Sequence, residues 1–141
     1  MLARASVAVR ARVARHFSVY FTESHEWVRL DGNNATIGIT DHAQEQLGEI
    51  VFVEPVETEI DVQKGDSTCQ VESVKAVGSV YAPADGSITK FNDALEDEPE
   101  LVNESPEESG WLFKMTVEDA ESIKSDLMDE AAYKEFLTTV E

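Results

Sequence analysis

The sequence predicts a mainly β domain, a sandwich or flattened barrel with short helices, closing on a C-terminal amphipathic helix. Short apolar–polar runs of strand length alternate with turn signals along most of the chain. No long strand–helix–strand alternation appears, so a parallel sheet is not expected. A sustained 3.6-residue period belongs to the last stretch, "DEAAYKEFLTTV", through Ala132, Tyr133, Phe136, Leu137 and Val140. At 141 residues the chain is one domain, or one domain with a tail.

In chain order, "EWVRL" leads through the turn "DGNN" into "ATIGIT", a hairpin signature. "TDHAQEQLG" reads as a brief helix, with Thr40 or Asp41 as its cap and Gly48 as its stop. "EIVFVEPV" returns to extended chain, and Pro55 ends the ladder or marks an edge. "VQKGDS" is a turn, and "TCQVESV" and "VGSVYAP" are two strands flanking Lys75-Ala76. "ADGSITKF" supplies a turn at Asp85-Gly86 and a strand. Residues 92–110 are acidic and loop-like, with Pro99 and Pro106. "WLFKMTV" then alternates Trp111, Phe113, Met115 and Val117 on one face.

The charge is unevenly spread. The chain has 29 acids against 11 lysines and arginines, and the first acid is Glu23. Arg4, Arg10, Arg12 and Arg15 lie within an acid-free start of apolar and small residues. That is the pattern of an amphipathic mitochondrial transit peptide, and "RHFS" resembles a processing site that cuts after Phe17. The expected organisation is a presequence over 1–17 and a folded domain over 18–141, working in the mitochondrial matrix or a related organelle. Without those four arginines, seven basic residues face 29 acids, a formal charge of −22. Such a surface repels nucleic acid and anionic lipid and favours partners with basic docking faces. No run of apolar residues approaches the roughly 20 that a membrane span needs.

Cys69 is the chain's one cysteine, so no internal disulfide is possible. It alternates with Val71 and Ser73 and reads as a small buried hydrophobe. His16, His25 and His42 show no metal spacing. No Gly-rich phosphate loop or nucleophile elbow is present.

Lys75 stands between two strands with small Ala76 beside it and Glu72 three residues earlier. Among acids a lysine stays an ammonium, which disfavours Schiff-base catalysis. A tight turn that projects a long amine, next to a residue without bulk, instead suits covalent attachment by a modifying enzyme. The turn supplies a fixed base, an exposed amine and local landmarks.

The segment "ESVKA" resembles the lipoyl attachment motif of the glycine cleavage system H-protein family. The blocks "SHEWVRLDGNNATIGITDHAQEQLGEIVFVE", "YAPADGSI", "PELVNESPEESGW" and "AAYKEFL" resemble the same family in the same order, over about residues 20–138. The resemblance implies a lipoyl/biotinyl-type hybrid barrel-sandwich with lipoate amide-linked to Lys75, inside a motif of Glu72, Ser73, Val74 and Ala76. It implies a non-catalytic carrier, expected as a monomer. A pyridoxal-phosphate glycine decarboxylase would load an aminomethyl group, an aminomethyltransferase would unload it, and dihydrolipoamide dehydrogenase would reoxidise the arm. Lipoyl-transfer enzymes would attach it. Ser24 and Glu26 match positions of a cleft that shelters the loaded arm. Gln46 and Ser79 stand where the family often has histidine and aspartate, within the same cleft. Two alternatives are an H-like relay that donates lipoyl groups to other apoenzymes and a biotinyl carrier domain. The biotinyl motif usually sets its lysine between methionines, whereas here the neighbours are Val74 and Ala76.

Overall fold

The computed structural model describes residues 18–139, so the presequence expected over 1–17, and Val140 of the terminal helix pattern, lie outside the described residues. In chain order the strands are β1 (Ser18–Phe21), β2 (Glu26–Asp31), β3 (Asn34–Ile39), β4 (Ile50–Val53), β5 (Ile60–Val62), β6 (Ser67–Ser73), β7 (Val77–Tyr81), β8 (Gly86–Phe91) and β9 (Phe113–Val117). The helices are α1 (Asp41–Leu47), α2 (Ala94–Asp97), α3 (Leu101–Glu104), α4 (Ala120–Lys124) and α5 (Glu130–Leu137). One sheet runs β1-β2-β3-β9-β8-β5 and the other β4-β6-β7, with antiparallel pairing throughout.

The β2–β3 hairpin closes at Asp31↔Asn34, with Gly32 at a φ of 63° supplying the left-handed backbone of a two-residue turn. Alternation then sorts the side chains. Val28 and Leu30 on β2, Ile37 and Ile39 on β3, and Phe113, Met115 and Val117 on β9 are buried. From the smaller sheet Val53, Cys69, Val71 and Val80 meet them, giving one continuous core between the two layers. Cys69 is 2% exposed and its thiol donates to the Glu54 carbonyl at 3.2 Å, as expected of a buried hydrophobe with a weak donor. Burial, and next the nearby Glu54 carboxylate, push the thiol up to about 12.

Several elements exceed the sequence expectation. β1, for which the sequence predicts no strand, pairs with β2 from Ser18↔Leu30 to Phe21↔Trp27. Only Phe21 of its four residues is buried, too little to show a period. β5 is three residues with none fully buried, and its pairing with β8 rather than its side chains defines it. The acidic stretch 92–110 contains the single-turn helices α2 and α3, each anchored by one buried apolar residue, Leu95 and Val102. α4 is a further short turn, capped by the Asp119 carboxylate accepting from the Ser122 N–H at 3.2 Å.

Helix α5 carries the expected amphipathic face only in part. Tyr133 is buried and Phe136 and Leu137 are half-buried, but Ala132 is exposed. The Tyr133 ring stacks on Phe21 with centroids 4.6 Å apart and planes within 7°. With Trp27 they form a second cluster beside the main core. Trp27 donates its indole N–H to the Pro106 carbonyl at 2.9 Å. Its ring lies 2.6 Å from where a Cβ on Gly38 would stand, so that position excludes any larger residue. Among the described residues no helix is long and apolar enough to cross a membrane.

Candidate functional site

Strands β6 and β7 pair up to Glu72↔Val77, which leaves residues 73–76 as the hairpin tip. Ser73 organises it. Its backbone N–H donates to the Ala76 carbonyl at 2.8 Å, and its hydroxyl oxygen accepts from the N–H groups of Lys75 at 3.2 Å and Ala76 at 2.9 Å. The same hydroxyl sits 3.1 Å from the Ala76 carbonyl, to which it donates. The Val74 N–H donates to the Glu49 carbonyl at 3.0 Å and ties the tip to the segment before β4. Glu72, Val74, Lys75 and Ala76 are exposed while Ser73 is half-buried, so the motif presents the amine on a hydrogen-bonded base.

The Lys75 stem does not leave directly into solvent. A Cβ built on Gly48 would stand 3.2 Å from Lys75 Cε and 3.8 Å from its Cδ. Gly48 has φ 86° and ψ −155°, a region essentially reserved for glycine, and it ends α1. The lysine therefore runs over the C-terminal end of that helix. At the other end, Thr40 caps α1 by accepting from the Ala43 N–H at 3.2 Å, which settles the choice between Thr40 and Asp41.

Asn103 of α3 clamps the same region. Its side-chain amide donates to Gln44 Oε1 at 2.8 Å and to the Gly48 carbonyl at 2.9 Å, and its Oδ1 accepts from the Ile50 N–H at 2.8 Å. Leu47 packs on β7 where Gly78 leaves room, since a Cβ there would meet it at 3.2 Å. Between α1 and β7 lies a cavity of about 320 Å³, lined by Ser24, His25, His42, Gln46, Leu47, Ser79 and their apolar neighbours. Ser24, Gln46 and Ser79 thus line one cavity.

Glu26 lies behind this wall. It is 2% exposed, and its Oε1 accepts from the hydroxyls of Thr22 at 2.7 Å and Ser24 at 2.8 Å, while Oε2 accepts from the Tyr81 N–H at 3.0 Å. It borders a second, more polar cavity of about 820 Å³, which shares Ser24 with the first. The carboxylate joins the β2 entry to β7 across the two sheets, and Ser24 is its link to the cleft. His25, His42, Asn103 and the glycines under Leu47 and Lys75 were not singled out as site residues from the sequence. For Asn103 and Gly78 no local pattern marks them, because each acts on an element distant in the chain.

Two antiparallel sheets sandwiching one core, with a lysine held out on a hairpin tip, define a lipoyl/biotinyl-type barrel-sandwich domain. Residues 19–140 match the family "Glycine cleavage H-protein". The chain is 51% identical over 116 residues to a glycine cleavage system H protein of Bartonella quintana, covering 82% of this chain and 94% of that one. It is 50% identical over 116 residues to that of Thermotoga maritima, covering 82% and 93%. The crystal structure of a glycine cleavage system H protein from Mycobacterium marinum superposes with a TM-score of 0.74 at 31% identity, covering 86% of this chain and 97% of that one. The chain belongs to the glycine cleavage H-protein family.

Proposed function

We propose that this chain is the lipoyl-carrying shuttle of a glycine cleavage system, with the lipoyl group amide-linked to Lys75. The observation that carries the reading is Lys75 itself: an exposed amine at a hydrogen-bonded hairpin tip, its stem laid over a residue without a Cβ. The fit to a lipoyl group is chemical as well as spatial. Gly48 leaves the stem its path, and the 320 Å³ cavity is lined mainly by apolar surface with a few hydroxyl, amide and imidazole groups, the composition suited to a short acyl chain with a polar end. When bound, the group supplies a dithiol–disulfide couple that accepts an aminomethyl unit.

The chain's residues position and shelter. Ser73 holds the tip, Glu72 and the exposed Val74 mark it for the lipoyl-transfer enzymes, and Ala76 leaves the amine accessible. Ser24, Gln46 and Ser79 offer hydrogen bonds inside the cleft. Glu26 already accepts three hydrogen bonds, so its main contribution is to orient Ser24 and to place negative charge behind the cleft, which suits a cationic cargo amine. The partners are a pyridoxal-phosphate glycine decarboxylase, an aminomethyltransferase and dihydrolipoamide dehydrogenase, met by a single copy of the chain.

We also infer that residues 1–17 are a mitochondrial presequence and that the carrier acts in the matrix. The reported relatives are bacterial and bear on the domain alone; the targeting reading rests on the acid-free, arginine-spaced start and "RHFS". Lys75→Arg tests the carrier reading: guanidinium keeps the charge but cannot form the amide. Loss of lipoylation and of glycine decarboxylation with an unchanged melting transition is expected, and sustained turnover would overturn it.

A further inference from the structure

His25 and His42 stand outside the roles assigned so far. Both line the 320 Å³ cavity, and their rings lie 4.6 Å apart, tilted by 38°. His25 is held in a left-handed backbone, φ 70°, with its N–H donating to the Thr22 carbonyl and its carbonyl accepting from the Thr40 N–H. Its Nδ1 lies 2.8 Å from the Tyr133 hydroxyl, which lies 2.8 Å from the buried Thr40 hydroxyl. That occupies Nδ1, fixes the ring and leaves Nε2 as its unused nitrogen. Neither ring nitrogen of His42 is hydrogen-bonded among the described residues.

A ring oriented through one nitrogen with the other unused is the usual posture of a metal-ligating histidine. Two imidazoles bound to one tetrahedral zinc at Zn–N of about 2.0–2.1 Å have ring centroids roughly 5 Å apart. The separation here, 4.6 Å, lets both rings reach one ion once the His42 ring, which no hydrogen bond holds among the described residues, turns a nitrogen toward it. Two nitrogens are not a closed site, and no group of three histidine, cysteine or carboxylate side chains among the described residues completes one. The missing ligands must come from elsewhere.

The arm on Lys75 can bring them. His42 precedes Gly48, where the lysine stem lies, by about 9 Å of helix at 1.5 Å per residue. An octanoyl chain beyond Nζ spans on the order of 10 Å. We propose that His25, His42 and the two sulfurs of the reduced lipoyl arm form a four-coordinate thiophilic metal site that takes zinc. The proposal rests on the lipoyl reading above.

On binding, two Zn–S bonds form and two S–H bonds break, both protons leave to solvent, and nothing is oxidised or reduced. Two thiolates with two imidazoles are a donor set that favours zinc over magnesium or calcium. A chelated dithiol cannot be reoxidised to the disulfide that takes the next load, so free zinc would park the carrier in its reduced state.

The experiment uses full-length lipoylated protein, its Lys75 modification verified by mass, reduced with a phosphine and titrated with Co²⁺ as a spectroscopic probe. Wild type should take up one cobalt with thiolate-to-metal charge transfer and the intense d–d bands of a four-coordinate ion, at least tenfold tighter than free dihydrolipoamide. His42→Ala, at an accessible helix position, should fall to the free-dihydrolipoamide level. His25→Asn, which tolerates a positive φ, should do the same. Lys75→Arg should show no charge transfer. Verified lipoyl protein binding no tighter than free dihydrolipoamide, or unaffected by His42→Ala, overturns the metal site and leaves the carrier reading standing. Absence of lipoyl from Lys75 overturns both.

Discussion

At Glu26 one carboxylate receives three hydrogen bonds in a 2%-exposed position. Glu26→Gln replaces an accepting oxygen with a donating amide, so either the Tyr81 N–H loses its acceptor or the Thr22 and Ser24 hydroxyls must turn to accept and send their protons elsewhere. Leaving a buried donor unsatisfied costs about 1–3 kcal/mol. Urea denaturation should show that loss while Lys75 remains modifiable; an unchanged midpoint would mean that the site relaxes around the amide. Gly48→Ala forces a side chain into a conformation costing about 1–3 kcal/mol and toward the Lys75 stem. It should lower the urea midpoint and increase the mobility of the Lys75 side chain by NMR, and an unaltered protein would contradict the path drawn for the arm. The sequence marked Gly48 as a helix stop, because positive φ after a periodic run is a local signal. That its missing Cβ also accommodates a lysine 27 positions later is a tertiary fact with no local signature.

Among the elements, α5 shows how far periodicity reaches. The pattern located the helix, and Tyr133 is its buried residue, but the pattern carried no sign that the hydroxyl joins His25 to Thr40. The strands with alternating burial, β3, β6 and β9, were legible for the same reason that β1 and β5 were not: two-residue periodicity needs a buried face several residues long. Burial, and next the neighbouring His42, make the contribution of His25 pH-sensitive. Folding lowers the His25 pKa below its ordinary 6.5, so its contribution is complete above that value and is lost as pH falls through the folded pKa. The stability difference between wild type and His25→Asn, followed by urea denaturation, should narrow as pH is lowered from 8 toward 5. A difference independent of pH would remove His25 from the account.

Over the whole molecule, a formal charge of −22 beyond residue 17 produces a long-range field, screened over a Debye length of about 8 Å at physiological salt. Association with the glycine decarboxylase should slow as ionic strength rises, by more than the later chemical step does, when both are followed by stopped flow. Salt-independent association would point to mainly apolar docking. The carrier reading depends on one covalent fact. Intact mass with peptide mapping of the protein isolated from lipoylating cells should place a single lipoyl amide on Lys75 and leave every other lysine bare. A bare Lys75 in protein that still supports glycine decarboxylation, or a lipoyl group on another residue, would contradict the account.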